Sequence, residues 1–131
     1  MKIFIGQRVT GENITNLKNE SMKLVEVLKS NGHKPYCTFL ESNGFDNKSN
    51  KEKMDIAFKK IKDSDLFFAI VRNENRSEGL LMEIGYSIAK KKIIYLAINE
   101  DVQNTYLREI AKKVIEYKNF EDLLNKIKEL Y

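Results

Sequence analysis

The segment Ser77–Tyr86 contains the residues whose types and spacing could do chemistry. Glu83 is set among apolar neighbours, which is unusual for a solvated helix face. A carboxylate in such surroundings suits nucleophilic attack on the anomeric carbon of a sugar. Because Glu83 would lie near the positive end of a helix, we expect it to be ionised. Gly85 is expected to let this helix approach a sheet.

Anion-binding residues are expected in two loops, each of which precedes a helix. The first loop, Gly6–Asn13, combines two glycines, a hydroxyl group and an arginine. Free backbone amides and a positive helix end converge in such a loop and can hold a phosphate. In the second loop Ser77 could cap the following helix and meet a phosphate with its hydroxyl. The candidate binding residues here are Gly6, Gln7, Arg8, Thr10, Gly11, Ser77 and Gly79.

The elements that position these loops alternate between strand and helix patterns along the chain. The predicted strands are Lys2–Ile5, Pro35–Leu40, Asp65–Val71, Lys92–Ile98 and Val114–Tyr117. The predicted helices begin at Ile14, after Ser49 and after Asn119, and cover Gly79–Lys90 and Thr105–Lys112. This alternation predicts one doubly wound α/β domain over residues 1–131, of flavodoxin or Rossmann type. We expect a five-stranded parallel sheet of order 2-1-3-4-5, with helices on both faces and ligands at the carboxyl ends of the strands.

Composition narrows the classes of function. The chain has 131 residues, 42% of them hydrophobic and 32% charged, with a net charge of +4. This small excess of positive charge suits a small anionic ligand and argues against a nucleic-acid polymer as partner. The single cysteine, Cys37, and the absence of a Cys/His cluster give no expectation of a metal or other cofactor. The longest apolar runs have six residues, Leu66–Val71 and Ile93–Ile98, and a membrane span needs roughly 20. The first residues show no signal-peptide pattern. We therefore expect a cytoplasmic protein that does not bind membranes.

Several of these segments together resemble the nucleoside 2-deoxyribosyltransferase superfamily. The resemblance rests on Phe4-Ile5-Gly6 with Thr10-Gly11, on Ser64–Ile70 and on Ser77–Ala89, and it covers nearly the whole chain. The superfamily includes the transferases and the 2'-deoxynucleoside 5'-phosphate N-hydrolases. The resemblance implies a doubly wound five-stranded fold, no cofactor, and a glutamate nucleophile that falls on Glu83.

The resemblance also implies a second acid and a shared site. The aspartate that contacts or protonates the base matches Asp55, but the stretch from there to Asp65 is about two residues longer than expected. If the turn absorbs this length, Asp55 keeps its place; if the helix absorbs it, Asp55 rotates away from the site. A homodimer or higher homo-oligomer is implied, in which a neighbouring subunit completes the active site. The residues that match this contribution are Asn104, Thr105 and Arg108.

The substrate is expected to be a small nucleotide. Ser77, Arg8 and the positive net charge favour a (deoxy)nucleoside 5'-monophosphate, with Phe45 or Tyr36 available to stack on the base. We therefore expect hydrolysis of the N-glycosidic bond. Gln7-Arg8 departs from the Gly-Ser-x-Arg pattern of the hydrolases, so a deoxyribosyltransferase that exchanges bases stays open. An alternative of another class is a flavodoxin-like module that binds FMN or a nucleotide without glycosidase activity.

Overall fold

A five-stranded parallel sheet forms the centre of the molecule. The computed structural model describes residues 1–41 and 47–130. The strands are β1 (Lys2–Gln7), β2 (Lys34–Cys37), β3 (Leu66–Val71), β4 (Ile93–Asn99) and β5 (Lys113–Tyr117). They pair in the order β2-β1-β3-β4-β5, and every pairing is parallel. The predicted doubly wound α/β fold with strand order 2-1-3-4-5 is confirmed.

Within the described residues, five helices connect and cover the strands, and three of them begin at caps that the sequence indicates. They are α1 (Ile14–Ser30), α2 (Asn50–Lys62), α3 (Glu78–Ala89), α4 (Leu107–Ile110) and α5 (Phe120–Lys128). Asn13, Ser49, Ser77 and Asn119 each accept a hydrogen bond from a backbone N–H in the first turn of their helix. Ser49 and Glu52 form a complete capping box. Side-chain caps of this kind satisfy amides that have no partner within the helix.

The structure differs from the sequence prediction most clearly at α4. A helix was expected over Thr105–Lys112, but only Leu107–Ile110 is helical. The chain leaves the helix early because the backbone N–H of Lys112 already donates to the carbonyl oxygen of Ile94, at 2.9 Å. Pairing with β4 therefore stops the helix after one turn. The second strand is also shorter than predicted and ends at Cys37.

The helices bury one apolar cluster on each face of the sheet. On one face, residues of β1, β3 and β5 pack against α1 and α5, with Leu24, Leu123 and Ile127 nearly inaccessible to solvent. On the other face, α2, α3 and α4 cover a cluster centred on Phe4 and Phe67, whose rings stack at 5.4 Å. None of the helices within residues 1–41 and 47–130 is long and apolar enough to cross a membrane.

Candidate active site

A cleft opens at the carboxyl ends of β1, β3 and β4. Three loops line it, those that follow these strands, and they supply both polar and apolar walls. Its enclosed part measures about 50 Å³, which is room for a few water molecules or a phosphate-sized group. In open parallel sheets this edge is where ligands bind. The polar lining residues are Arg8, Glu12, Arg72, Asn73, Glu74, Asn75, Arg76, Ser77, Asn104 and Thr105.

The first loop folds Arg8 back onto its own segment. The Arg8 Nη1 atom lies 3.1 Å from Glu12 Oε2, and the other carboxylate oxygen of Glu12 accepts from Asn73 Nδ2 at 3.2 Å. Gly11 has φ +86°, a conformation that favours glycine, and a side chain there would contact the Arg8 guanidinium. Gly11 therefore shapes the loop around Arg8 and does not line the cleft. Part of the positive charge of Arg8 is neutralised within the loop.

Two further arginines, which the sequence analysis did not single out, stand in the loop between β3 and α3. Arg72 donates from Nε to Glu20 Oε1 at 2.9 Å, and this ion pair ties the end of β3 to α1. Arg76 donates from Nη2 to the carbonyl oxygen of Asn104 at 3.1 Å, and so joins the two loops on either side of the cleft. In the sequence, only their location indicates a role in binding: the loop Arg72–Gly79 follows a central strand, where ligands bind in such sheets.

Ser77 caps α3 at the edge of the cleft. Its hydroxyl oxygen accepts from the backbone N–H of Leu80 at 3.1 Å. The start of α3 can lie this close to β1 because Gly6 has no side chain: a Cβ atom there would contact the Phe67 ring and lie 3.1 Å from Leu80 Cδ1. The structure thus gives Gly6 a packing role beneath α3, and Gly6 is not part of the cleft lining. Gly85, which was expected to bring α3 close to the sheet, is exposed, and a Cβ atom there would meet nothing within 4 Å.

Glu83 lies on the side of α3 that faces α2 and does not line the cleft. It is one turn from Gly79, where a Cβ atom would lie 3.9 Å from Met54 Sδ of α2. It is also one turn from Tyr86, whose ring stacks on Phe58 of α2 at 4.6 Å. Residues three and four apart share a helix face, so Glu83 points into the space between α2 and α3. The candidate nucleophile is therefore not among the cleft-lining residues, although both Glu83 and the cleft adjoin the first two turns of α3.

Burial governs the protonation of Glu83. Removal from solvent raises the pKa of its carboxyl group from 4.5 to about 8. The expectation that the helix terminus would keep Glu83 ionised is thus wrong for the free protein at neutral pH. The helix dipole acts mainly within the first turn, and Glu83 lies in the second turn after the cap at Ser77. Desolvation is therefore the larger effect.

The structure does not bring Asp55 to the cleft or into the core. Its side chain is 58% exposed and pairs with Lys51, one turn earlier on α2, at 2.8 Å. The helix runs on to Lys62 and so absorbs the extra length before β3. Asp55 is consequently turned toward solvent. This is the second of the two alternatives given above, in which Asp55 rotates away from the site. This position does not support proton donation to a leaving base.

Other predicted site residues divide into two groups. Arg8, Ser77, Asn104 and Thr105 line the cleft together. Gln7 does not reach it, because its amide nitrogen donates to Ser21 Oγ at 2.8 Å beneath α1. Arg108 is likewise held elsewhere, by Glu116 at 2.7 Å. Thr10 and Gly79 are also absent from the cleft lining.

The two aromatic residues proposed for base stacking have different outcomes. The Tyr36 ring packs on Phe4 with centroids 5.8 Å apart, and the Lys60 ammonium lies 4.9 Å from the centroid of the Tyr36 ring. Tyr36 is therefore engaged in the layer beneath α2. Phe45 lies outside the described residues. Within those residues no group of three or more His, Cys, Asp or Glu side chains is placed to hold a metal ion.

The fold and the cleft define an α/β protein with a polar cleft at the carboxyl ends of its strands. The family model of nucleoside 2-deoxyribosyltransferase matches residues 12–125. The chain belongs to the nucleoside 2-deoxyribosyltransferase family. This match confirms the resemblance seen in the sequence. It also confirms the predicted class of enzyme, an N-glycosidase or deoxyribosyltransferase. The general chemistry of the family is glycosyl transfer or hydrolysis at nucleosides.

Solved structures agree with this fold. The CMP N-glycosidase of Clostridium botulinum is 22% identical over 100% of both chains, with a TM-score of 0.76. A 2-deoxyribosyltransferase of Bacillus psychrosaccharolyticus is 22% identical over 95% of this chain and 91% of its own, with a TM-score of 0.70. A 2-deoxyribosyltransferase of Leishmania mexicana is 13% identical over 85% of this chain and 72% of its own, with a TM-score of 0.64. No curated protein sequence matches the chain significantly.

Proposed function

We propose that the protein hydrolyses the N-glycosidic bond of (deoxy)nucleoside 5'-monophosphates and releases the free base and the sugar 5-phosphate. The observation that carries this proposal is the environment of Glu83. Its carboxyl group is withdrawn from water on the second turn of α3, and burial raises its pKa to about 8. Ser77 caps the same helix, beside a cleft that three arginines and two glutamates line.

A desolvated carboxylate suits the first chemical step. The ionised form of Glu83 is poorly solvated, so it is more basic and more nucleophilic than a carboxylate in water. As the bond from C1' to the base weakens, positive charge develops on the sugar. In a site of low dielectric, attraction between that charge and the carboxylate is much stronger than in solution.

The reaction then proceeds in two steps. Glu83 forms an ester bond to C1' while the bond between C1' and the base nitrogen breaks, and the base leaves with the bonding electron pair and takes up a proton. Water then attacks C1', the ester bond breaks, and the carboxylate of Glu83 is restored. The departing proton of the water balances the proton taken up by the base.

The arginines of the cleft favour a substrate that carries a 5'-phosphate, with Arg76 the one whose guanidinium is held by a backbone carbonyl and by no carboxylate among the ion pairs of the described residues. Arg8, Arg72 and Arg76 line the cleft, and Ser77 presents a hydroxyl at the positive end of α3. Such groups bind a phosphate dianion by charge-assisted hydrogen bonds. The similarity in fold to an enzyme whose name states that it acts on CMP, a nucleoside monophosphate, is in keeping with this choice.

A substrate screen tests the proposal. Nucleosides and their 5'-monophosphates are incubated with the protein, and the released base is measured by chromatography, with Glu83→Gln as the control. We expect base release from monophosphates, much less from nucleosides, and none beyond background from the variant. A parallel incubation with a second free base should yield no new nucleotide. Base exchange would instead indicate a transferase, and binding without release would indicate a module without glycosidase activity.

A further inference from the structure

The amino ends of the five strands form one edge of the sheet, opposite the edge that holds the cleft. Because every pairing is parallel, the segments that enter the strands lie side by side. We call this surface the basic edge and define it as residues 1–2, 34, 62–65, 90–92 and 112–113. Of its lysines only Lys92 is half-buried and the others are exposed; they are Lys2, Lys34, Lys62, Lys90, Lys91, Lys92, Lys112 and Lys113.

Charge is distributed unevenly between this edge and the rest of the chain. Eight lysines and two aspartates, Asp63 and Asp65, give the basic edge a net side-chain charge of +6, whereas the whole chain carries +4. The rest of the chain therefore has a net charge of −2. The expectation against a nucleic-acid polymer relied on the net charge of the whole chain, which conceals this separation. A local field of one sign attracts ligands of the opposite sign.

Little within the molecule neutralises these lysines. No ion pair found among residues 1–41 and 47–130 includes a lysine of the basic edge. Lys2 and Lys34 are register partners in adjacent strands, and like charges in such positions destabilise a sheet. Lys92 donates from Nζ to the carbonyl oxygen of Lys62 at 2.8 Å, which orients the side chain and leaves its charge in place. Asp65 accepts from the backbone N–H of Lys2 at 2.8 Å.

The fold does not account for all of these lysines. Cations near a helix C-terminus favour the helix dipole, which explains Lys62 and Lys90. Lys2 and Lys113 are the first residues of β1 and β5, where that explanation does not apply. Lys91 has φ +57°, the left-handed conformation that commonly follows a helix end and that glycine adopts with least strain. A lysine at this position therefore costs stability, which indicates a role outside the fold.

We propose that the basic edge binds the phosphate backbone of a nucleic-acid duplex. Adjacent strands lie about 4.8 Å apart, so the edge is about 19 Å long, the length of about six phosphates along one strand of B-DNA. Neighbouring strands are also rotated by about 20–25°, so their ends follow a curved line. A curved row of cations fits the backbone of a helical polymer better than the plane of a lipid surface.

The residue types of the basic edge favour the backbone of a duplex over its bases. The edge contains no arginine, asparagine or glutamine, which are the usual readers of base edges. It also contains no aromatic residue on which the bases of a single strand would stack. Lysine ammonium groups bind phosphates as point charges. Binding is therefore expected to be independent of base sequence and strongly dependent on salt.

Fluorescence anisotropy of a labelled DNA duplex of about 20 base pairs tests this surface. We expect a dissociation constant of about 1 µM in about 50 mM NaCl. If about four phosphates are neutralised, the logarithm of the association constant should fall with the logarithm of salt concentration with a slope of about −4, so affinity drops about 200-fold by about 200 mM. An RNA duplex of the same sequence should bind within about tenfold of the DNA, and the tighter of the two identifies the partner.

Two triple variants of equal charge locate the contact. The combination of Lys90→Gln, Lys91→Gly and Lys113→Gln should raise the dissociation constant at least about tenfold and make the slope shallower by about 2–3. The matched control combines Lys18→Gln, Lys23→Gln and Lys118→Gln, which are exposed lysines outside the basic edge. It should change the dissociation constant less than about threefold.

Lys91→Gly alone separates binding from folding. Because the backbone conformation of Lys91 favours glycine, this variant should raise the midpoint of urea unfolding and still weaken binding by about threefold. Absence of binding at about 100 µM protein, equal effects of the two triple variants, or tighter binding to phosphatidylserine vesicles than to either duplex would overturn the proposal. The measurements use no substrate and concern a surface about 20 Å from the cleft, so their outcome is independent of the proposed reaction.

Discussion

Replacing Glu83 with glutamine should stabilise the protein, and the gain should grow with pH. Burial raises the pKa of the Glu83 carboxyl group from 4.5 to about 8. Between these values the folded protein holds a proton that the unfolded chain releases, so the free energy of unfolding falls as pH rises through this window. The full penalty is present above about pH 8 and absent below about pH 4.5. Glutamine has nearly the same shape and never ionises, so it removes the penalty.

The size of the effect follows from the two pKa values. Each tenfold change in proton affinity corresponds to about 1.36 kcal/mol, so a rise from 4.5 to about 8 corresponds to at most about 5 kcal/mol. Glu83 keeps partial contact with solvent, which reduces this figure. We therefore expect Glu83→Gln to gain about 2–4 kcal/mol more stability over the unaltered protein at pH 8.5 than at pH 4.5.

Urea unfolding of both proteins at pH 4.5, 6.5 and 8.5 measures this difference. Glu26→Gln is the control, since Glu26 is exposed on α1, and its effect should stay within about 0.5 kcal/mol at every pH. A gain for Glu83→Gln that is equal at pH 4.5 and 8.5 would show that the carboxyl group is not desolvated. The reasoning about its reactivity would then fail with it.

Three further outcomes follow from the geometry. Gly6→Ala should lower the free energy of unfolding, measured in urea, by about 1–3 kcal/mol, because the added methyl group contacts the Phe67 ring. Gly85→Ala should not destabilise the fold, because its methyl group enters open space. Equal losses for the two variants would contradict the packing described for β1 and α3. The kcat/KM for base release should rise about tenfold per pH unit below pH 8 and level off above it, because the reactive form of Glu83 is the ionised one. A profile that is flat from pH 6 to 9 would contradict the role of Glu83 as nucleophile. Asp55→Asn should change base release less than about threefold, because this side chain is exposed, and a loss of a hundredfold would show that it reaches the substrate.

Local sequence signals predicted most of the fold. The caps predicted at Ser49, Ser77 and Asn119 mark where α2, α3 and α5 begin, because their side chains bind the free amides of the first turn. The continuous apolar runs of β3 and β4 indicate strands covered on both faces. The end of α4 could not be predicted in this way, because it depends on the long-range hydrogen bond from Lys112 to Ile94.

The candidate site was less predictable because side-chain direction depends on the assembled fold. The expected ionisation of Glu83 relied on a helix dipole, and only the packed structure shows that desolvation outweighs it. Gln7 and Arg8 are neighbours in the sequence, yet one turns beneath α1 and the other lines the cleft. Alternation along an extended chain sends adjacent side chains to opposite faces. Arg72 and Arg76 line a cleft that forms only where the loops after β1, β3 and β4 meet, so no local sequence pattern predicts their place in it.

The central claim is that the Glu83 carboxylate attacks the sugar, and the rate of base release by Glu83→Gln tests it most directly. Under saturating nucleoside 5'-monophosphate at pH 8, we expect the variant to be slower than the unaltered enzyme by on the order of a thousandfold, a change of about 4 kcal/mol in the activation barrier. Its affinity for the monophosphate should be retained, because other side chains, those that line the cleft, bind the phosphate. A variant that releases base within about threefold of the normal rate would contradict the account.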